Sequence, residues 1–177
     1  MAPMILMGAL IPSHVGRGAT GGLAGDMVHR WRQLLLTPRA LGMLIYAFAI
    51  SMANDVLFVV YGIWLEDAFG LSVVALGATA IIIGIAELSG EGLTALLSDR
   101  IGLKRVVVGS LVLSTLTYLL FPFFTADLTS AMIALYIVFV VFEYNMVTAI
   151  SLFTEVLPDA RATMMSGYKA ASGAGRI

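Results

Sequence analysis

Four long apolar stretches dominate the pattern of hydrophobic and polar positions along the chain. They cover residues 41–65, 73–97, 106–124 and 131–153, and each contains at most two charged residues, all of them acidic. Each stretch is near or above the length of about 20 residues that a helix needs to cross the hydrocarbon of a bilayer. Because lipid cannot satisfy free backbone N–H and C=O groups, the pattern predicts four transmembrane α-helices.

The segments between these stretches differ in charge. Residues 66–72 and 125–130 carry acidic charges only, whereas all three basic residues between the stretches fall in 98–105. Short connections make neighbouring helices antiparallel, so four spans place both ends of the chain on the side of the middle connection. Nine of the ten Lys and Arg residues then share that side: Arg17, Arg30, Arg32, Arg39, Arg100, Lys104, Arg105, Arg161 and Lys169. The positive-inside rule makes this side cytoplasmic.

The composition excludes most soluble functions. Hydrophobic residues make up 60% of the chain and charged residues 12%, with a mean hydropathy of +0.98, whereas a soluble domain is about 25% charged. A net charge of −1 gives no reason to expect a nucleic-acid partner. The chain has no Cys, and both His residues lie outside the apolar stretches. We therefore expect an all-α protein of the cell inner (plasma) membrane, without enzymatic activity, metal or cofactor, whose partners are the lipid bilayer and a small-molecule substrate.

The two ends of the chain are predicted to flank this 41–157 transmembrane region. Residues 1–40 are predicted to be a cytoplasmic loop, within which residues 26–36 interleave apolar side chains with His29, Arg30 and Arg32. That alternation fits a short amphipathic helix at the membrane interface, or equally an ordinary polar linker. Residues 158–177 are predicted to begin a further transmembrane helix. In it, small residues recur every four positions, which allows close helix packing: Gly167, Ala171 and Gly175.

Carboxylates inside the apolar stretches are the candidate functional residues. Asp55, Glu87 and Glu143 lie near the middle of the first, second and fourth stretches, and Glu91 lies one turn after Glu87. A carboxylate at this depth costs about 2.5–3.5 kcal/mol even on insertion scales, so such residues typically face a cavity or a partner. Desolvation favours their neutral form, which makes them candidates for proton exchange or for binding a cationic or polar solute. The polar and aromatic neighbours included in this candidate site are Asn54, Asn145 and Tyr144.

A structural role for these carboxylates is the alternative. Intramembrane carboxylates also serve as hydrogen-bonded links between helices. Arg176 adds a further alternative, since a helix that begins near Pro158 carries it roughly 27 Å along its axis. There it is a candidate intramembrane cation paired with Glu143 or Glu87, unless that segment lies at the wet interface.

The middle connection carries a family resemblance. Residues 95–105 read Ala-Leu-Leu-Ser-Asp-Arg-Ile-Gly-Leu-Lys-Arg and resemble the loop motif G-x-L-A-D-R-x-G-R-K of the major facilitator superfamily. The matching residues are Asp99, Arg100, Gly102, Lys104 and Arg105. Ala95 and Leu103 depart from the motif. Residues 155–162 resemble the acidic–Pro–Arg–small pattern that follows the family's tenth helix, and residues 64–72 resemble its first outer loop of the C-terminal half.

The resemblance implies helices seven to ten and the start of helix eleven of a six-helix bundle, whose partner is a missing N-terminal helix bundle. It also implies secondary transport by alternating access, with Asp99 stabilising one conformation of the cycle. From the residues alone, Gly102 is expected to take a positive φ in a tight turn, with Lys104 and Arg105 holding that turn at the cytoplasmic face. Two alternatives stay open: a small four-helix protein that dimerises like multidrug exporters, and a non-transporting membrane scaffold or partial gene product.

Overall fold

The computed structural model describes residues 23–177, and α-helices form nearly all of this range. The six α-helices within it are α1 (Leu23–Leu36), α2 (Pro38–Phe69), α3 (Val73–Ile101), α4 (Leu103–Leu120), α5 (Leu128–Val156) and α6 (Arg161–Ala174). Two short 3-10 helices, Phe121–Phe124 and Pro158–Ala160, follow α4 and precede α6. The part of the predicted cytoplasmic loop before Leu23 lies outside the described residues.

The prediction of an all-α membrane protein with four spans is confirmed. Helices α2, α3 and α5 contain 32, 29 and 29 residues, and α4 together with its 3-10 turn contains 22. All four are long and apolar enough to cross a membrane. At 1.5 Å per residue, 29 residues reach about 43 Å, which covers the hydrocarbon and the headgroup layers. The helices are therefore longer than the apolar stretches that predicted them, because their end turns contain polar residues.

Two glycines make the turns between successive helices tight. The backbone N–H of Gly70 donates to the carbonyl of Glu66 at 2.8 Å, and its φ of 64° ends α2. Gly102 is the single non-helical residue between α3 and α4, and its φ is 94°. Only glycine adopts such angles without strain, so the positive φ predicted for Gly102 is confirmed.

The predicted connection over residues 98–105 was too long. Asp99 and Arg100 continue the last turn of α3, while Lys104 and Arg105 belong to the first turn of α4. The prediction interpreted the charged residues as a loop. Polar side chains at a membrane surface are, however, compatible with a helix that continues beyond the hydrocarbon. The charged motif is therefore a pair of helix ends joined through Gly102.

Helix α5 begins with a capping box. The Asp127 carboxylate accepts a hydrogen bond from the backbone N–H of Ser130 at 3.0 Å, and the Ser130 hydroxyl accepts one from the Asp127 N–H at 3.4 Å. Bonds of this kind satisfy amides that the first helical turn leaves unpaired. The hydrogen bonds from Ser130 hold the pKa of the Asp127 carboxyl below its usual value. This cap fixes where the chain re-enters the membrane after α4.

Helix α5 is the centre of the bundle, since it packs against α3 and α4 along much of its length and also contacts α6. Its buried side chains contribute to two apolar clusters, one in the first half of the helix and one in the second half. In one, Phe139 and Leu135 pack with Ile83 and Leu65. In the other, Phe153 packs with residues of α1, α2 and α6: Leu34, Ala47, Met164 and Tyr168. The remaining faces of the four long helices expose large apolar residues, as lipid-facing surfaces do.

Small residues let α6 approach α2 closely, as the sequence predicted. A Cβ added at Gly167 would lie 3.2 Å from Leu34 Cδ1 and from Leu44 Cδ2. A Cβ at Gly175 would collide with the carbonyl oxygen of Phe48 and lie 3.1 Å from the Met52 nitrogen. The small-residue stripe is therefore the α2–α6 contact.

The positions of these turns allow a test of the predicted orientation. The chain has no native Cys, so single cysteines report without a background. Asp67 and Ala126 are exposed near one end of the bundle, and Lys104 is exposed at the other. In intact cells, a membrane-impermeant maleimide should label Asp67→Cys and Ala126→Cys, whereas Lys104→Cys should react only after permeabilisation. Labelling of Lys104→Cys in intact cells would reverse the orientation.

Candidate functional site

The closest contact between two long helices in the candidate site is the crossing of α3 and α5 at Gly90. A Cβ added there would lie 2.7 Å from Glu143 Cβ, 2.7 Å from the Val140 carbonyl oxygen and 2.9 Å from the Tyr144 nitrogen. Two of those atoms belong to the backbone and cannot rotate away. Only a glycine at this position lets α5 lie directly on α3. Gly90 is therefore a helix-packing position, whereas Gly92, two residues later on α3, has no atom within 4 Å of an added Cβ.

The crossing brings together three of the predicted carboxylates. Glu87 and Glu91 flank Gly90 on α3, and Glu143 on α5 meets Gly90 directly. Glu143 lies within electrostatic range of both. Glu87 and Glu143 are half-buried, whereas Glu91 is exposed on the bundle surface. Residues 23–177 hold no group of three or more His, Asp or Glu side chains close enough to bind a metal ion. The three carboxylates are thus neighbours across a helix crossing.

Hydroxyl groups continue this contact along α3 and α5. The Thr148 hydroxyl donates to the Tyr144 carbonyl at 2.8 Å and lies 2.9 Å from the Ser98 hydroxyl. The Thr94 hydroxyl donates to the Gly90 carbonyl at 3.1 Å, one turn beyond the crossing. Ser98 and Thr148 are buried, and their mutual hydrogen bond gives the Ser98 hydroxyl a partner. This bond joins α3 to α5 between Gly90 and the Gly102 turn, whereas the other two bonds lie within single helices.

Asn145 links α5 to α2. Its side chain is fully buried, and its Oδ1 accepts a hydrogen bond from the Tyr46 hydroxyl. The Asn145 Nδ2 has no protein partner within the described range. A buried amide donor without a partner is costly, so this atom is available to a water molecule or a solute. Tyr144, the residue before Asn145, is half-buried and contributes its backbone to the α3 crossing.

Asp55 lies apart from the three glutamates. It lines a groove of about 420 Å³ between α2 and α6, together with Arg176, Met52 and Gly175. The neighbouring Asn54 has a buried Oδ1 without a hydrogen-bond partner among the described residues. The Gly175 contact with Phe48 and Met52 seats the end of α6 on α2, which explains why Arg176 shares the Asp55 groove.

The pairing expected for Arg176 is not observed. The one ion pair at 4.0 Å or less in residues 23–177 joins Arg30 to Asp26. Arg176 therefore makes no such pair with Glu143 or Glu87, the partners that its distance along the helix indicated. Helix α6 packs on α2 rather than on α3, so the groove brings Arg176 to Asp55.

The residues of the loop motif meet a second motif in the folded chain. Asp99, Gly102, Lys104 and Arg105 line a polar groove of about 610 Å³, and Glu155 from the end of α5 lies on its other side. Arg100 is exposed at the same end of the bundle. The sequence placed residues 95–105 and 155–162 in separate cytoplasmic segments. The structure makes them the two walls of one groove.

Sequence reasoning missed several polar contacts of this region. Tyr46, which bonds to Asn145, and Thr94, which bonds to the Tyr144 carbonyl, belong to no recognisable sequence pattern. The contact of Ser172 on α6 with Ser51 on α2, whose hydroxyls lie 2.6 Å apart, was also not predicted. A single polar residue within an apolar stretch carries no information about which helix it faces. Only the folded structure shows whether such a residue lies opposite another polar group or bonds to the backbone of its own helix.

Comparison with known proteins identifies the family. The model of the Major Facilitator Superfamily matches residues 40–177. The chain belongs to the major facilitator superfamily. An uncharacterized MFS-type transporter of Bacillus subtilis (strain 168), YceJ, is 24% identical over 150 residues, which cover 85% of this chain and 38% of that protein. No solved structure matches the chain significantly.

Membership of the superfamily confirms the resemblance that the loop motif carried. This chain spans 38% of the length of the curated relative it matches. The match covers the four long helices, the loop motif and α6, and it leaves α1 wholly outside. The candidate site at Gly90 therefore lies within the part of the chain that is shared with the superfamily.

The role of Gly90 can be tested against a matched control. Gly90→Ala should lower the free energy of unfolding by about 1–3 kcal/mol, the usual cost of forcing extra atoms into a packed contact. Gly92→Ala adds the same atom on the same helix, where nothing lies within 4 Å, and should leave stability unchanged or slightly raised. Denaturation of the detergent-solubilised variants measures both. Equal stability of the two variants would show that the crossing is not tightly packed.

Proposed function

We propose that this chain forms most of the C-terminal half of a secondary active transporter that moves a small solute by alternating access, coupled to protons. The observation that carries the proposal is the α3–α5 crossing at Gly90, where Glu87, Glu91 and Glu143 lie together within the membrane-spanning helices. Membership of the major facilitator superfamily and the relative named as an MFS-type transporter support transport as the function. They favour it over the small four-helix exporter.

The proton-coupling proposal follows from the electrostatics of the crossing. Three carboxylates near one another repel when all are charged, and the low dielectric of a membrane interior strengthens that repulsion. Uptake of a proton or of a cationic group relieves it. Since Glu91 is exposed while Glu87 and Glu143 are half-buried, the cluster extends from the bundle surface into the helix contact. Such a cluster can exchange protons with a cavity whose access alternates between the two sides.

The polar groups near the crossing provide the binding capacity that a solute needs. The Nδ2 of Asn145 and the Oδ1 of Asn54 are buried without partners in the described part of the chain. One is a donor and the other an acceptor, so together they would favour a polar solute. Asp55 and Arg176, which share the separate α2–α6 groove, are proposed as a second charged element that faces the same cavity. The second wall of the cavity is the N-terminal helix bundle in this proposal.

Neutralising Glu87 tests proton coupling. Glu87→Gln mimics the protonated state permanently, so it should abolish uphill accumulation of solute driven by a pH gradient, while exchange of solute across the membrane persists. Glu87→Asp should retain partial activity. Glu66→Gln makes the same chemical change at an exposed position at the end of α2 and should leave accumulation unchanged. The measurement is solute uptake by proteoliposomes that contain the full-length protein. Undiminished uphill accumulation by Glu87→Gln would reduce Glu87 to a link between helices.

The motif groove is proposed to stabilise one conformation of the transport cycle. Asp99 lies in the last turn of α3, where a negative charge opposes the helix dipole and therefore benefits from the nearby Lys104 and Arg105. The basic pair at the start of α4 is likewise unfavourable to its own helix, and Glu155 offers compensating charge across the groove. The groove thus brings together opposite charges that compensate one another. An opening of the cytoplasmic side would separate or rearrange these charges.

Asp99→Asn should therefore slow transport while leaving expression and folding near normal. The expected signature is a lower transport rate by a protein that still binds the solute, because the substitution alters the balance between conformations and not the binding groups. Asp67→Asn, an equally exposed aspartate at the opposite end of the bundle, is the matched control and should transport normally. Initial rates in the same proteoliposomes measure the effect. Normal rates for Asp99→Asn would leave the motif with a turn-forming role only.

A further inference from the structure

Helix α1 has one face that is packed against the bundle. Leu34 is fully buried, and its side chain lies over Gly167 of α6, where a Cβ would come within 3.2 Å of it. Trp31 is half-buried and packs against the same apolar cluster. The Arg30 guanidinium donates to the carbonyl oxygen of Asp159 at 3.3 Å, in the turn between α5 and α6. Helix α1 is therefore fixed to the end of the bundle along one side.

An adjacent side of α1 is apolar and has no protein partner in the described range. Met27, Val28, Leu35 and Leu36 are 57%, 65%, 55% and 69% exposed. With Trp31 and Arg32 they line an open groove of about 580 Å³. Four large apolar side chains on one short helix would be costly to leave in water. The exposed face therefore requires a covering surface.

The position of α1 indicates that the covering surface is the membrane. A single residue, Thr37, separates α1 from Pro38, the first residue of the transmembrane helix α2. The exposed side chains Leu41 and Ile45 begin the apolar surface of α2 within two turns of that junction. The exposed face of α1 thus lies at the end of a surface that lipid already covers.

The charges of α1 indicate which lipid. Asp26 is its one acidic residue, and Arg30 neutralises it at 3.1 Å. Arg32, beside the apolar groove, and Arg39, in the first turn of α2, are exposed and form no ion pair within residues 23–177. A helix with an apolar face bordered by uncompensated arginines fits the headgroup layer of an anionic membrane.

We propose that α1 is an interfacial helix that binds anionic phospholipid on the predicted cytoplasmic side. Met27, Val28, Leu35 and Leu36 insert at the level of the acyl chains, and Arg32 and Arg39 contact lipid phosphates. The attachment of α1 through Leu34 and Arg30 couples this lipid contact to the α5–α6 turn and to α6. The proposal does not depend on the proposed transport function.

Residues 1–177 contain no native Cys. The full-length protein, with any cysteine outside these residues replaced by Ser and with Val28→Cys introduced, is labelled with an environment-sensitive fluorophore and reconstituted into bilayers of phosphatidylcholine containing increasing phosphatidylglycerol. The fluorophore should shift to the blue and be quenched by bromine-labelled acyl chains as the anionic fraction rises. Replacement of Arg32 or Arg39 by Gln should lower the ratio of docked to undocked helix by about fivefold for each arginine. Arg161→Gln, at an exposed arginine of α6 that does not line the apolar groove, should have no effect.

Two results would overturn the proposal. A fluorophore that is shielded from water but not quenched by the acyl chains would show that protein covers the face, either the N-terminal helix bundle or a second copy. Quenching that is equal in neutral and anionic bilayers, and insensitive to the two arginine substitutions, would show that α1 does not select anionic lipid. Because the readout is fluorescence, loss of transport activity would not affect either conclusion.

Discussion

The direct contact of α3 with α5 at Gly90 is the interaction on which the rest of the structure depends. Lipid offers no hydrophobic force to hold apolar helices together, so they associate through close packing and hydrogen bonds. A glycine at the crossing removes the one side chain that would hold the two backbones apart. The hydroxyl pair of Ser98 and Thr148 then forms within the contact. The same approach brings the glutamates of α3 to Glu143.

This arrangement links stability to the proposed chemistry. Burial of charge near the middle of a membrane is costly. A tightly packed contact limits how far the carboxylate groups can move apart. Glu143 is held by the backbone of its own helix against Gly90, whereas Glu91 reaches the surface of the bundle. The contact that stabilises the fold therefore also sets the distance between the groups that would bind a proton or a solute.

At the predicted cytoplasmic end, Gly102 plays a corresponding role. Its positive φ reverses the chain in a single residue, so the charged ends of α3 and α4 lie side by side and face Glu155. Helix α1 packs near the start of α6, through Leu34 against Gly167. Charges and small residues thus gather at one end of the bundle.

Sequence alone determined the four spans, the all-α class and the family, because the cost of exposing polar backbone to lipid leaves helices as the only solution for long apolar stretches. It also indicated Gly102 as a tight turn and Gly175 as part of a close helix contact, since glycine within such patterns marks close packing or a tight turn. It did not show which faces of the helices contact one another. A carboxylate such as Asp55 or Glu87 has the same local pattern whatever helix lies opposite. Only tertiary packing brought Arg176 into one groove with Asp55 and placed Glu155 opposite the loop motif. Helix contacts depend on the relative rotation of neighbouring helices, and apolar stretches that face lipid on several sides encode that rotation weakly.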